Sequence, residues 1–390
     1  MEQPLIANTY NLMKKLFTLT AALLMTFAAV AKNPVGTPQT TLRPTMQVEG
    51  SFSMIVVPDP QTYNKFAANQ PLFELQTAWI AQNISNLNIK YALFTGDMVE
   101  QNNKVVSEGR PGLGNGDQTS RQQWESVSRA LARLDNRIPY VVAQGNHDIG
   151  YVAAETRYTH APEYIYPERN ICFEKALVGT CANYEGVHTM ENSAYELVDE
   201  AWGKLLILTF EFAPRDEAIE WARKLIESKR FASHRVIVLV HSWLNDKGKR
   251  ITKEGYKVTP CNWAEDVWKK LVYPSKNICM VLCGHTGVAP KIKPDGGEVD
   301  YRLTCQYLED KAADGRIVPQ MMFNSQQADG SWSGNGGDGW IRILEFRPDG
   351  KTIGVRTFSP LFAISPRTSH LAWRTADYDN YEIVIEKLTE

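Results

Sequence analysis

The sequence has no long run of lysine or arginine, and its formal net charge of -2 gives no electrostatic footprint for nucleic acid. It has no CxxC spacing, which argues against a structural zinc site. Internal repeats are absent, and the Gly-rich stretch Ser333–Gly339 is one loop rather than a low-complexity tract. What is present is ordinary for a folded enzyme. Hydrophobic residues make up 43% and charged residues 22% of 390 residues, enough chain for one large domain or two smaller ones.

Residues 1–31 do not read as fold. From Met13, Lys14 and Lys15 give a basic start, Leu16–Val30 an apolar run, and Ala29-Val30-Ala31 a small-residue cleavage site, the three parts of a secretory signal. Residues 1–12 carry no targeting logic, so Met13 is an alternative start. The apolar run is short for a membrane span and has no stop-transfer flank, an N-terminal anchor being the alternative. The pattern predicts cleavage after Ala31, a linker over 32–50 rich in Pro, Thr and Gln, and a periplasmic or secreted protein with no membrane span. Six cysteines follow the signal. Cys172 and Cys181 flank a short polar loop and are the pair expected to bridge, while Cys279 and Cys283 read as buried thiols in a strand.

From Ser51 onward apolar strands alternate with amphipathic helices, the pattern of an α/β domain. Continuous apolar runs at Ser53–Val57, Tyr91–Thr95, Tyr140–Ala143, Lys204–Phe210, Arg235–Val240 and Ile278–Cys283 suit strands buried on both faces. Helices are expected from Pro71, over Arg121–Leu134, and after Pro214 with Asp216 and Glu217 in the first turn. Beyond Gly284 the texture becomes antiparallel β, with strands at Asp300–Gln306, Met321–Asn324, Trp340–Phe346 and Thr352–Phe358. No linker composition sets this half apart, so it is read as the second sheet of one sandwich. The expected domain is 51–360, with 361–390 an extension holding a final strand.

Polar residues fall where these strands end. Val57 is followed by Pro58-Asp59-Pro60-Gln61, Thr95 by Gly96-Asp97-Met98-Val99-Glu100, Ala143 by Gln144-Gly145-Asn146-His147-Asp148, Val240 by His241, and Cys283 by Gly284-His285-Thr286-Gly287. In α/β sheets the carboxyl ends of the strands are where ligands bind. One Asp after a strand is usually a turn or a helix cap, but five such placements point together to a site. Carboxylates, an amide oxygen and imidazoles make mixed oxygen and nitrogen sites for Zn, Mn or Fe.

The ordered blocks PDPQ, GDMVE, GNHD, a strand-end His and GHTG resemble those of the calcineurin-like metallophosphoesterase superfamily, over about residues 51–290. The resemblance implies two mixed β-sheets packed as a sandwich flanked by helices, with a dinuclear metal centre at the strand ends. It implies Asp97 as the bridging carboxylate, Asp59 and Gln61 on the first metal, and Asn146, His241 and His285 on the second. It further implies hydrolysis of a small-molecule phosphate ester by metal-activated hydroxide, with His147 as general acid. Glu100 matches the position from which a carboxylate supports that histidine, an exposed loop carboxylate being the alternative. Two departures stand out: Gln61 replaces the usual histidine of the first block, and Gly287 the second histidine of the last. Both thin the first metal position, and Gln61 could instead orient a ligand. A pseudoenzyme that grips a phosphorylated ligand without turnover is therefore the rival reading. A carbohydrate-binding β-protein would explain the C-terminal half but none of the strand ends.

Overall fold

The computed structural model describes residues 43–104, 116–290, 300–326 and 334–386. The expected signal and most of the linker lie outside them, and residues from Gln39 onward form one unit. Among the described residues no helix is long and apolar enough to cross a membrane.

In chain order the strands are β1 (Phe52–Val57), β2 (Ile89–Phe94), β3 (Tyr140–Val142), β4 (Leu177–Ala182), β5 (His188–Asp199), β6 (Gly203–Thr209) and β7 (Arg235–Leu239). They continue with β8 (Ile278–Cys283), β9 (Cys305–Lys311), β10 (Ile317–Phe323), β11 (Ile341–Phe346), β12 (Thr352–Phe358), β13 (Trp373–Arg374) and β14 (Asn380–Val384). Two mixed sheets result. One runs β13-β12-β11-β1-β2-β3 with β14 on β12, the other β4-β5-β6-β7-β8-β10-β9. This is the α/β architecture with two mixed sheets that the strand pattern and the family resemblance lead one to expect.

The packing follows from strand periodicity. In β6 and β7, Leu205, Ile207, Ile237 and Leu239 point into the core shared with the first sheet. Their neighbours Leu206, Leu208, Val236 and Val238 point the other way, onto Ala218, Ile219, Ala222 and Ile226 of the helix Asp216–Glu227. Alternate residues of a strand face opposite sides, so a strand covered on both sides must be apolar throughout. The helix Gln70–Asn83 begins with Pro near its start and buries Phe73, Gln76, Thr77 and Ile80, while Leu72 and Leu75 are half-buried.

Three expectations need correction. The C-terminal strands do not make one sheet: β9 and β10 finish the second, whereas β11 to β14 finish the first, because β1 takes β2 on one side and antiparallel β11 on the other. The segment from Asp300 is a short 3-10 turn, and the strand starts at Cys305. All six cysteines are free, including Cys172 and Cys181. Extended strand β4 carries Cys181 away from Cys172 at roughly 3.3 Å per residue, so proximity in sequence does not become proximity in space. Beyond residue 360 the chain stays in the sheet, since β13 and β14 both pair with β12.

Candidate metal centre

β1, β2 and β3 are mutually parallel, as are β6, β7, β8 and β10, so two sets of carboxyl ends meet at one place. The turns leaving those ends are tight. Asp97 and His285 both have positive φ, 49° and 69°, a conformation costing non-glycine residues about 1–3 kcal/mol that persists where surrounding contacts impose it. Close approach requires the preceding glycines: a Cβ at Gly96 would lie 2.7 Å from His241 Nδ1, and one at Gly284 2.2 Å from Asp59 Oδ1.

Around His241 four groups converge. Its Nδ1 donates to the Thr95 carbonyl at 2.8 Å, which leaves Nε2 facing inward. Nε2 lies 3.0 Å from Asn146 Oδ1, 3.2 Å from Asp97 Oδ2 and 3.0 Å from His285 Nδ1. His285 is turned the same way, because its Nε2 donates to Glu254 Oε1 at 2.6 Å and Glu254 Oε2 accepts from Ser242 Oγ at 2.7 Å. One proton on His241 cannot satisfy three lone pairs at once, whereas a cation can. Donors from Asp97, His241 and His285 lie within 4.8 Å of one another, so they fit a metal ion.

Charge balance in the protein alone tells the same story. Burial disfavours a charged His241, yet Asp97 and Asp59 outweigh it and carry its pKa to about 10. Burial pushes Asp97 up, but the His241 and His147 charges hold it at about 2. Asp59 is raised to about 6, chiefly by burial. Imidazolium stands here in the place of a cation.

Asp59 is fixed by three donors: Thr95 Oγ1 at 2.6 Å, the His285 N–H at 2.9 Å and Asn324 Nδ2 at 2.7 Å. Gln61 Nε2 donates to Glu100 Oε2 at 3.2 Å, while Gln61 Oε1 is buried and has no partner among the described residues. Such an oxygen is a ready ligand atom. Glu100 is itself buried and also pairs with Lys65 Nζ at 3.4 Å, so it is not an exposed loop carboxylate. Its carboxylate does not reach His147. Instead the His147 ring donates from Nδ1 to the Glu100 main-chain carbonyl at 2.7 Å. The expected side-chain dyad is replaced by a backbone contact because Gln61 and Lys65 hold the carboxylate elsewhere. The His147 N–H donates to Asp97 Oδ1 at 2.9 Å, joining the general-acid candidate to the proposed bridging carboxylate.

Several residues at the site carry no sequence signal. Glu254 sits in an irregular stretch. Asp148, read only as part of GNHD, accepts from Met98 N at 2.7 Å and Gly145 N at 2.8 Å and thereby clamps two strand ends together. Burial, then the Asp97 charge, raises Asp148 to about 7. Phe212 forms an aromatic wall, its ring centroid 6.0 Å from His241, 5.3 Å from Tyr256 and 6.1 Å from Trp263. Asn324, just past the end of β10, reaches the site through Asp59. Tyr63 and Asn64, which follow Gln61, are buried: Tyr63 Oη accepts from Gly339 N, and Asn64 Nδ2 donates to the Met98 carbonyl.

The chain is similar to the uncharacterised protein YvnB of Bacillus subtilis strain 168, at 26% identity over 311 residues. That alignment covers 79% of this chain but 20% of YvnB, so the chain spans a fifth of that relative's length. Among solved structures it is similar to GAP50, the anchor in the inner membrane complex of Plasmodium, at 10% identity, over 86% of this chain and 90% of that one, with a TM-score of 0.40. It is also similar to PhoD at 9% identity, over 87% of this chain and 74% of that one, again with a TM-score of 0.40. The family model of the calcineurin-like phosphoesterases matches residues 55–289, more than half the chain. Since that match takes in every strand end from Asp59 to His285, the chain belongs to the calcineurin-like phosphoesterase family.

Proposed function

We propose that the protein is a metal-dependent hydrolase of phosphate esters with two metal positions, in the branch of the family that carries Asp-Pro-Gln in its first block. The observation that carries this reading is the convergence of Asp97, Asn146 and His285 on His241 Nε2, with the outer nitrogens of both histidines already engaged. Those four residues would hold one ion; Asp59 and Gln61, sharing Asp97, would hold the other. Bound Zn, Mn or Fe supplies Lewis acidity and lowers the pKa of water.

The side chains around that centre have separable tasks. Glu254 keeps the His285 Nδ1 lone pair directed inward, and Asp148 sets the spacing of the Asp97 and Asn146 loops. His147 keeps Nε2 free for the leaving oxygen while Nδ1 is engaged by Glu100. Burial opposes its protonation, but the charges of Asp97 and Glu100 prevail and raise its pKa, which favours the proton-carrying form that a general acid needs. Phe212 and its aromatic neighbours keep water from the histidine side.

Reconstitution with Mn2+ or Zn2+, followed by assay on nitrophenyl mono- and diesters, tests this reading. Turnover that Asp97→Ala reduces to background is expected. Metal binding without turnover on either ester class would instead favour a protein that grips a phosphorylated ligand. We also read residues 13–31 as an export signal, giving a periplasmic or secreted protein. N-terminal sequencing of the mature chain should begin at Lys32, and retention of residues 13–31 would overturn this.

A further inference from the structure

The first metal position lacks a histidine because Gly287 stands in the last block. Steric contact accounts for the glycine. A Cβ at residue 287 would lie 2.6 Å from Gln326 Nε2, 2.9 Å from Gln326 Cγ and 3.2 Å from Asn324 Nδ2. The space beside Gly287 is filled by the side chain of Gln326.

Gln326 arrives there because β10 runs parallel to β8, so the chain leaving β10 reaches the same sheet edge as the Gly284-His285-Thr286-Gly287 turn. Asn324 donates to Asp59 Oδ2 at 2.7 Å and to the His285 carbonyl at 2.9 Å, and the Gln326 N–H donates to Asn324 Oδ1 at 3.0 Å. Gln326 is therefore tied to the Asp59 side of the centre. It is 2% exposed, and Gln61 is 1% exposed. Both have an amide oxygen, Oε1, with no hydrogen-bond partner among the described residues. Leaving a buried acceptor unpaired costs about 1–3 kcal/mol, so each of these oxygens calls for an electropositive partner.

We propose that Gln326 supplies the donor that Gly287 cannot. Gln61 Oε1 and Gln326 Oε1, with the Asp59 and Asp97 carboxylates, form an all-oxygen position that takes a hard divalent cation such as Mn2+. The position around His241 and His285, with its two imidazoles, suits Zn2+. The centre is chemically asymmetric and holds two different metals. This rests on the metal-centre reading above.

The test uses full-length protein stripped of metal, loaded with one equivalent of Zn2+, and titrated with Mn2+ followed by electron paramagnetic resonance. Wild type should take up one Mn2+. Gln326→Ala and Gln326→Leu should lose at least about tenfold in Mn2+ affinity while keeping their Zn2+, which also reports that they are folded. Gln326→Glu, which keeps an oxygen at the same reach, should bind Mn2+ at least as well as wild type. Wild-type Mn2+ affinity in the Ala and Leu variants, or its loss in the Glu variant, would overturn the assignment. Wild type that binds Zn2+ but no Mn2+ would overturn it while leaving the metal centre intact. Wild type that binds neither would remove the centre itself.

Discussion

His147 is held at Nδ1 by a main-chain carbonyl, and a carbonyl does not vary with the side chain that carries it. Glu100→Gln should therefore leave the ring in place but, by removing a charge that raises the His147 pKa, move the alkaline limb of the pH-rate profile to lower pH, whereas His147→Ala should lower kcat by about 10²–10⁴. An unmoved alkaline limb in the Gln variant would show that the carboxylate charge does not act on the ring. Glu254 acts directly, since its side-chain carboxylate itself accepts from His285 Nε2. Glu254→Gln should weaken Zn2+ binding by about 10–100-fold, read by competition with a chelating dye. His241 sets the pH dependence. Its folded pKa of about 10 lies above the ordinary 6.5, so in metal-free protein its ion pair contributes fully below pH 6.5 and is lost as pH rises through 10. A metal needs the neutral ring, so binding at pH 7.5 should release about one proton from this residue. Calorimetry in two buffers of different ionisation enthalpy measures it.

At the level of elements, a strand could be read from sequence when it was apolar along its whole length and ended in a polar turn. β1, β2, β3, β7 and β8 meet that condition because helices or the opposite sheet cover both faces, and their last residues lead straight into Asp59, Asp97, Asn146, His241 and His285. β4 and β5 escaped notice for physical reasons. β4 is half-exposed along its length, and β5 buries Glu191, Asn192 and Ser193, so neither presents an alternating or apolar run. Gln326 and Glu254 escaped for a different reason: their roles come from contacts between distant turns, which no local spacing encodes. Glu191 offers a test of β5. Burial raises its carboxyl to about 7, above the ordinary 4.5. That raised value favours the fold below pH 4.5, an advantage lost as pH climbs through 7. Glu191→Gln should thus stabilise the protein at pH 8 by up to about 3 kcal/mol and leave it unchanged at pH 4, measured by urea unfolding.

Over the whole molecule, the last residues of the expected linker are part of the structure. Gln47 N donates to Glu345 Oε1 at 2.9 Å and Val48 N donates to it at 2.8 Å, while Arg356 Nη2 donates to Glu345 Oε2 at 2.9 Å. Glu345 is wholly buried, so it ties the entry of the chain to β11 and β12 and neutralises Arg356. Glu345→Ala leaves that guanidinium buried without its carboxylate and should cost about 3–5 kcal/mol, seen as a lower urea midpoint with an unchanged slope.

The pairing of β1 with β11, Phe52 opposite Phe346, carries a consequence for biogenesis. A ribosome makes the strand that leads to Asp59 long before it makes that strand's neighbour. Until residue 346 has emerged, one edge of β1 has no partner. The first sheet is therefore incomplete until that strand arrives, and pairing so distant in sequence slows its closure.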